Sequence, residues 1–235
     1  MKYTIHPEVF ELNPSLQFGI LIGKGLNNSE STDADVTLLR EAETQVRQII
    51  QEDALRSVPN IKAYRETMEK AGINPNKYAV STEAMIKRVL KGNALPKINA
   101  LVDLCNVVSL QNQISLGGHD LRDLHEDLSI CFSKGTEQFL PFGAEAYESV
   151  EAGELVFTSG KMVQTRKWIW RQSELGKMTL DTSDVFFQLV GFDESENNSL
   201  MHAMDTLGNY IEERFCGTYQ KFVVNNENSS IEFDV

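Results

Sequence analysis

The segment Leu95–Asp120, LPKINALVDLCNVVSLQNQISLGGHD, constrains the fold more than any other part of the chain. Its middle predicts a helix over residues 99–111, with Ala100, Leu101, Val102, Val107, Val108 and Leu110 covering most of the circumference. A helix apolar on most sides is a buried one. Yet Asn99, Asp103 and Asn106 follow at spacings of four and three, so they share one face. Buried polar groups need partners. The stripe is therefore either a satisfied internal network that fixes the packing or the wall of a pocket. The segment closes on Gly117-Gly118, read as a turn that carries His119 and Asp120.

Around this helix the pattern changes character along the chain. Residues 2–5 and 17–22 read as strands, and a long helix is expected from Val36 to Leu55, capped by Asp33 and Asp35. Further helices are expected over 61–71, closed by Gly72, and from an N-cap at Ser81 to Lys91-Gly92. From Leu128 the apolar runs are short and separated by turn residues: 128–132, 154–158, 162–166 and 185–189. Residues 197–215 return to helical spacing, and 219–224 read as a last strand. The expectation is an α+β chain, one domain over 1–224, with helices mainly in the first half packed on a largely antiparallel sheet. Residues 225–235 are polar and acidic and are expected to fray as a flexible tail.

The 235 residues suffice for a sizeable core. No apolar run approaches the roughly 18 residues of a membrane span, and MKYTIHPEVFELNP lacks the apolar stretch of a signal peptide. Cys105, Cys131 and Cys216 show no metal-like spacing and each has apolar neighbours, which reads as buried free thiols in a reducing cytoplasm. A net charge of −12 argues against generic polyanion binding, and so against DNA. Two segments run against that average: Lys87, Arg88, Lys91 and Lys97, then Lys161, Arg166, Lys167, Arg171 and Lys177.

Several chemistries are excluded by their missing motifs. His119 and His125, six apart, do not make a metal site, and Gly23-Lys24-Gly25 lacks the spacing of a phosphate loop. Cys105 has no evident activating base, and no serine sits in a nucleophile elbow. No cofactor is implied. What remains is the polar stripe and Thr165–Ser173, TRKWIWRQS, which holds both tryptophans of the chain. As a strand it would place Arg166, Trp168 and Trp170 on one face and Lys167, Ile169 and Arg171 on the other. Arginine beside an exposed tryptophan makes a platform for a nucleobase or ribose; the alternative is a core tryptophan pair.

Taken together, AMIKRVLKGNALPKINALVDLCNVVSLQNQISLGGHD and TRKWIWRQS…TSDVFF resemble the central domain of the phenylalanyl-tRNA synthetase beta subunit, and more closely its free-standing relatives. The resemblance spans residues 64–189, with INALVDLCNVVSL its most specific part. That domain hydrolyses tyrosine wrongly attached to phenylalanine tRNA. Its pocket has a Thr-Asn pair, a histidine after the helix, a glycine that leaves room, and a glutamate that holds the tyrosyl hydroxyl. Carried over, the asparagine is Asn106, the threonine is replaced by Cys105, and the histidine position holds Gly117 with His119 two residues on. The glycine position holds Ile169, and the glutamate position Gln188. Losing the carboxylate removes the charge-assisted bond to a tyrosyl hydroxyl, so the resemblance implies a different amino acid.

The function implied is a stand-alone trans-editing deacylase that hydrolyses a mischarged aminoacyl-tRNA. A complete phenylalanine ligase is excluded, since no ATP-binding or aminoacylation motif is recognisable. The expected catalytic residues are Asn106, His119 as a general base, and Asp120. Asn99, Asp103, Cys105, Gly117, Trp168, Ile169, Trp170 and Gln188 are expected around the substrate. Arg166, Lys167, Arg171, Lys91 and Lys97 are expected at the RNA. Two other readings stay open: a non-catalytic module that binds an amino acid, a nucleotide or the tRNA 3′ end, and a protein that only keeps the fold.

Overall fold

A computed structural model describes residues 1–193 and 199–234. The chain runs β1 (Lys2–Ile5), α1 (Pro7–Leu12), β2 (Leu16–Lys24), α2 (Asp33–Ile49), α3 (Pro59–Lys70), α4 (Ser81–Leu90), α5 (Ala100–Asn112) and β3 (Ser115–Asp120). It continues with β4 (Leu128–Phe132), β5 (Gln138–Phe139), β6 (Glu148–Ser149), β7 (Leu155–Ser159), β8 (Met162–Arg166) and β9 (Arg171–Gln172). β10 (Val185–Phe192), α6 (Ser199–Asn209), β11 (Thr218–Val224) and β12 (Ser230–Glu232) complete it. The fold is α+β, as expected, but the strands form two sheets.

One sheet has the order β11-β2-β10-β3 and is antiparallel throughout. The other runs β12-β1-β4-β7-β8-β5-β6, with β9 on β8, and is mixed because β1–β4 and β5–β8 pair in parallel. β10, VFFQLVGF, is buried at every position, as a strand covered on both faces must be. One of its faces meets α6: a Cβ on Gly19 of the neighbouring β2 would stand 2.4 Å from Met204 Sδ, so any larger residue there would push the Met204 side chain aside. Its other face meets the mixed sheet, where Phe186 stacks on Phe157 at 5.7 Å and tilts against Tyr3 at 5.2 Å.

Local chemistry explains where the elements depart from the sequence reading. α2 is capped by Thr32 in a reciprocal box with Asp35, and it stops at Ile49, with residues 52–57 forming a separate 3-10 helix. Ser81 is the first residue of α4, not its cap. Gly117-Gly118 is no turn: both lie within β3, opposite Gln188 and Phe187 of β10. Glycine has low strand propensity, but cross-strand pairing overrides it here. Thr165–Ser173 is no continuous strand, because Lys167 and Trp168 take left-handed φ values of 47° and 67° and turn β8 back into β9.

The chain end does not fray as expected. Ser230–Glu232 pair with β1, and Ile231 and Phe233 are buried. Of the helix expected over 197–215, residues 197 and 198 lie outside the described residues; α6 is followed by a π-helical turn over Tyr210–Arg214. Cys105 is buried, Cys131 partly so, and Cys216 is exposed against expectation. Among the described residues no helix is long and apolar enough to cross a membrane.

Candidate functional site

Residues opposite one another in an antiparallel pair point to the same face. The registers Gly117↔Gln188 and His119↔Phe186 therefore place Ser115, Gly117, His119, Gln188 and Val190 on the face turned towards the mixed sheet. There they enclose a cavity of about 100 Å³, closed by Thr165, Gln172, Ile169, Trp170 and Ser81. A second, more apolar chamber of about 470 Å³ adjoins it and shares Ser81, Leu116, Gly117 and Gln172. Met85, Val102, Cys105, Asn106, Met178 and Lys177 line this chamber, and Ile98 and Phe142, each about half exposed, stand at its rim.

The polar stripe of α5 divides. Asn99 caps the helix by accepting from the Val102 amide at 3.1 Å, and its Nδ2 donates to the Met178 carbonyl at 3.2 Å. Asp103 is fully buried and accepts from Ser31 Oγ at 2.6 Å and from the Ile98 amide at 3.0 Å. These two belong to a satisfied internal network and line neither compartment. Only Asn106, half-buried, reaches the chamber wall.

Asp120 is likewise committed to the fold. Its carboxylate accepts from Thr182 Oγ1 at 2.6 Å and Arg122 Nη2 at 2.7 Å, and it caps the short helix Leu121–Asp123. Burial raises its pKa, but the Arg122 and Thr182 bonds outweigh that and hold it below the usual carboxylate range. It is not part of the cavity wall.

His119 does line the cavity, in a form the sequence reading did not anticipate. Burial pushes its pKa down to about 3, so the ring is neutral at physiological pH rather than poised as a base. Its Nδ1 lies 3.4 Å from Gln172 Nε2, and the same amide nitrogen donates to the Gly118 carbonyl at 2.9 Å. The same nitrogen also donates to the Gly176 carbonyl at 3.3 Å, so two carbonyls fix it as the amide nitrogen, and what faces Nδ1 is a group with no lone pair to accept a ring proton.

Cys105 stands on the chamber wall as a protonated thiol. Burial, aided by the Asp103 charge, pushes its pKa up to about 12. Iodoacetamide at pH 7.5 is expected to label Cys216 within minutes and leave Cys105 unmodified, read by peptide mass spectrometry. Comparable labelling of both would contradict the burial of Cys105.

The tryptophans separate. Trp168 is fully buried and meets Tyr64 edge-on at 6.0 Å, whereas Trp170 lines the cavity and packs on Tyr78 at 4.8 Å. Ile169 lines it too. Arg166 and Lys167 are held internally by Glu154, at 2.7 Å and 2.8 Å, a buried carboxylate the sequence reading overlooked. Arg171, Lys91 and Lys97 are exposed and make no ion pair among the described residues. Arg171 lies over the Trp170 ring at 5.9 Å.

Ser115, Thr165 and Gln172 also line the cavity and carry no sequence signal, since they become neighbours only when β3, β8 and β9 meet. Gln164 is a further omission. It sits at the register shift between β7 and β8, wholly buried, with no partner for its amide among the described residues.

A family model described as the B3/4 domain matches residues 63–216. Among solved structures, the crystal structure of an N-terminal fragment of the phenylalanyl-tRNA synthetase beta-subunit from Pyrococcus horikoshii is similar at 10% identity and a TM-score of 0.49. That similarity covers 94% of this chain and 53% of the other, so the chain spans about half the fragment's length. No curated protein matches the chain.

Proposed function

Because the chain belongs to the B3/4 domain family, whose model matches residues 63–216, we propose that it is a tRNA-binding domain acting in trans as an aminoacyl-tRNA deacylase in the cytoplasm. The observation that carries this reading is a pair of adjoining cavities that share Gly117 in their walls, a small one of mixed lining that holds the polar groups of Gln188, His119 and Gln172, and a larger, more apolar one. An aminoacyl ester has the same division: a polar ester group and a side chain.

Met85, Val102 and Met178 suit an uncharged amino-acid side chain, and no carboxylate among the described residues lines either compartment to receive a cationic one. Neutral Gln188 and bulky Ile169 do not favour tyrosine. Ester hydrolysis needs a positioned water and donors for the developing oxyanion. A protonated Cys105 and a weakly basic His119 supply no nucleophile or strong base, so the water is oriented by a ribose hydroxyl of the tRNA itself, with Asn106 holding the amino-acid moiety from the wall of the larger chamber. Exposed Arg171, Lys91 and Lys97 are among the cations that would meet phosphates.

The test is a hydrolysis screen over all twenty aminoacyl-tRNAs. At least one is expected to be hydrolysed, with Asn106→Ala slowing it about tenfold, the worth of one hydrogen bond. Gly117→Ala is expected to fold normally, since its methyl group meets only His119 Nε2, at 3.7 Å, yet to lose hydrolysis by occupying the junction. No release above the buffer rate for any of the twenty would sink the proposal.

The weak basicity of the buried His119 ring favours one other reading, a module that binds the tRNA end without turnover. Saturable binding of an uncharged-tRNA 3′-end oligonucleotide, lost in Trp170→Ala and accompanied by no hydrolysis, would select it.

A further inference from the structure

Gln188 owes its orientation to a residue outside the B3/4 match. Tyr3, on β1, is fully buried between Phe157 and Phe186. Its hydroxyl lies 2.7 Å from Gln188 Oε1 and has no other polar partner among the described residues. A phenol can donate or accept, and an amide can be turned either way, so the bond alone does not fix the polarity. The cost of an unpaired donor does. If the Gln188 amide were reversed, the Tyr3 O–H would be left without an acceptor in the core, an unfavourable arrangement for a buried donor. Burial raises the Tyr3 pKa well above its ordinary value, so the proton stays on the phenol. The Gln188 carbonyl is thereby committed to Tyr3, and its Nε2 faces the cavity that Gln188 lines.

The same logic acts across the cavity. Gln172 Nε2, fixed as the nitrogen by the Gly118 and Gly176 carbonyls, faces His119 Nδ1 and offers it no acceptor, which favours the ring proton on Nε2. Between these two groups lies Gly117, paired directly with Gln188. A Cβ there would be 3.7 Å from His119 Nε2, so the missing side chain leaves the gap between them.

We propose that Tyr3 and Gln172 are positioning residues that make Gln188 and His119 a pair of N–H donors facing one gap, so that the group bound there is an oxygen acceptor, the acyl carbonyl of the ester. The inference rests on the reading of the cavity as an ester site for the identity of that oxygen. The donor polarity itself follows from the hydrogen bonds. It also gives a physical reason for an amide at this position: a carboxylate would accept from Tyr3 equally well but turn a second acceptor towards the substrate oxygen.

NMR on the uniformly 13C,15N-labelled chain tests the polarity without any ligand. At pH 7 the His119 ring nitrogens are expected to show a protonated Nε2 and an unprotonated Nδ1. Tyr3→Phe is expected to move the Gln188 Cδ carbon upfield as its carbonyl loses a bond, with the smaller change at Nε2. The Nδ1-protonated tautomer, or a change confined to Nε2, overturns the proposal. The tautomer is read on the unaltered chain, so the test stands even if Tyr3→Phe fails to fold. In hydrolysis of whichever aminoacyl-tRNA the chain accepts, Tyr3→Phe is expected to lower kcat about tenfold with KM within twofold, and Gln188→Glu to lower kcat at least 100-fold. Unchanged kcat in both variants overturns the role in catalysis. If the NMR signatures hold and no aminoacyl-tRNA is hydrolysed, the deacylase reading falls and the donor pair stands.

Discussion

Trp168→Ala is expected to cost about 3–5 kcal/mol of folding free energy, the usual range for emptying a large aromatic site in a core. Trp168 has no exposed surface, meets Tyr64 edge-on, and its amide donates to the Leu155 carbonyl at 2.7 Å. Removing the indole leaves a void whose walls, Tyr64 among them, are themselves buried and have little room to collapse. Trp170, two residues on, stands at the cavity and keeps its polar neighbours, so Trp170→Ala should cost about 1 kcal/mol or less while impairing ligand binding. Urea denaturation of the two variants measures the difference through the midpoint, with the slope unchanged. Equal losses would mean that Trp170 belongs to the core as fully as Trp168 does.

Stability is also expected to fall as the pH drops from about 6.5 towards 4.5, at up to about 1.4 kcal/mol per pH unit, with His119 responsible. In the folded chain His119 stays neutral down to about pH 3, because burial disfavours its cation, while in the unfolded chain it takes up a proton near its ordinary value of 6.5. Between those values the unfolded state binds more protons, so acid favours unfolding, and the stabilisation is complete only above about pH 6.5. Asp35, Asp120 and Glu154 have pKa values lowered in the folded state, and their contributions are lost only as the pH falls through the carboxylate range. The interval from 6.5 to 4.5 therefore isolates the histidine. His119→Gln is expected to flatten the dependence there, read by urea midpoints at half-unit pH steps. An unaltered slope in that variant would remove His119 as its cause.

The two tryptophans show what the sequence could and could not reveal. Their spacing located the segment beside the cavity, but side-chain alternation assumed an unbroken strand. The left-handed Lys167 and Trp168 break that alternation, and neither residue type announces such a conformation. Within α5, apolar coverage identified burial correctly, and Asn106 on the stripe does reach the chamber. That Asn99 and Asp103 do not could be seen only from their partners, Met178 and Ser31, far away in the chain. Gly117-Gly118 was read as a turn because local propensity is all a short segment offers. The pairing that makes it a strand is supplied by β10, roughly seventy positions later. Gln172 and Tyr3 were invisible for the same reason: a glutamine on a two-residue strand and a tyrosine on a four-residue one carry no local mark of what they face.

β1 has a consequence for the order in which the molecule matures. Its parallel partner β4 and antiparallel partner β12 both lie far along the chain, and the Tyr3–Gln188 bond joins positions 185 apart. Closing so long a loop brings no reward until both partners exist, so β1 is expected to dock late. Until then β4 has an open edge, and Gln188 is free to turn its amide either way. A late docking of β1 would leave the polarity of the cavity undecided until its walls are already built. Protection of the β1 amides in pulsed hydrogen exchange during refolding should lag behind recovery of helical structure.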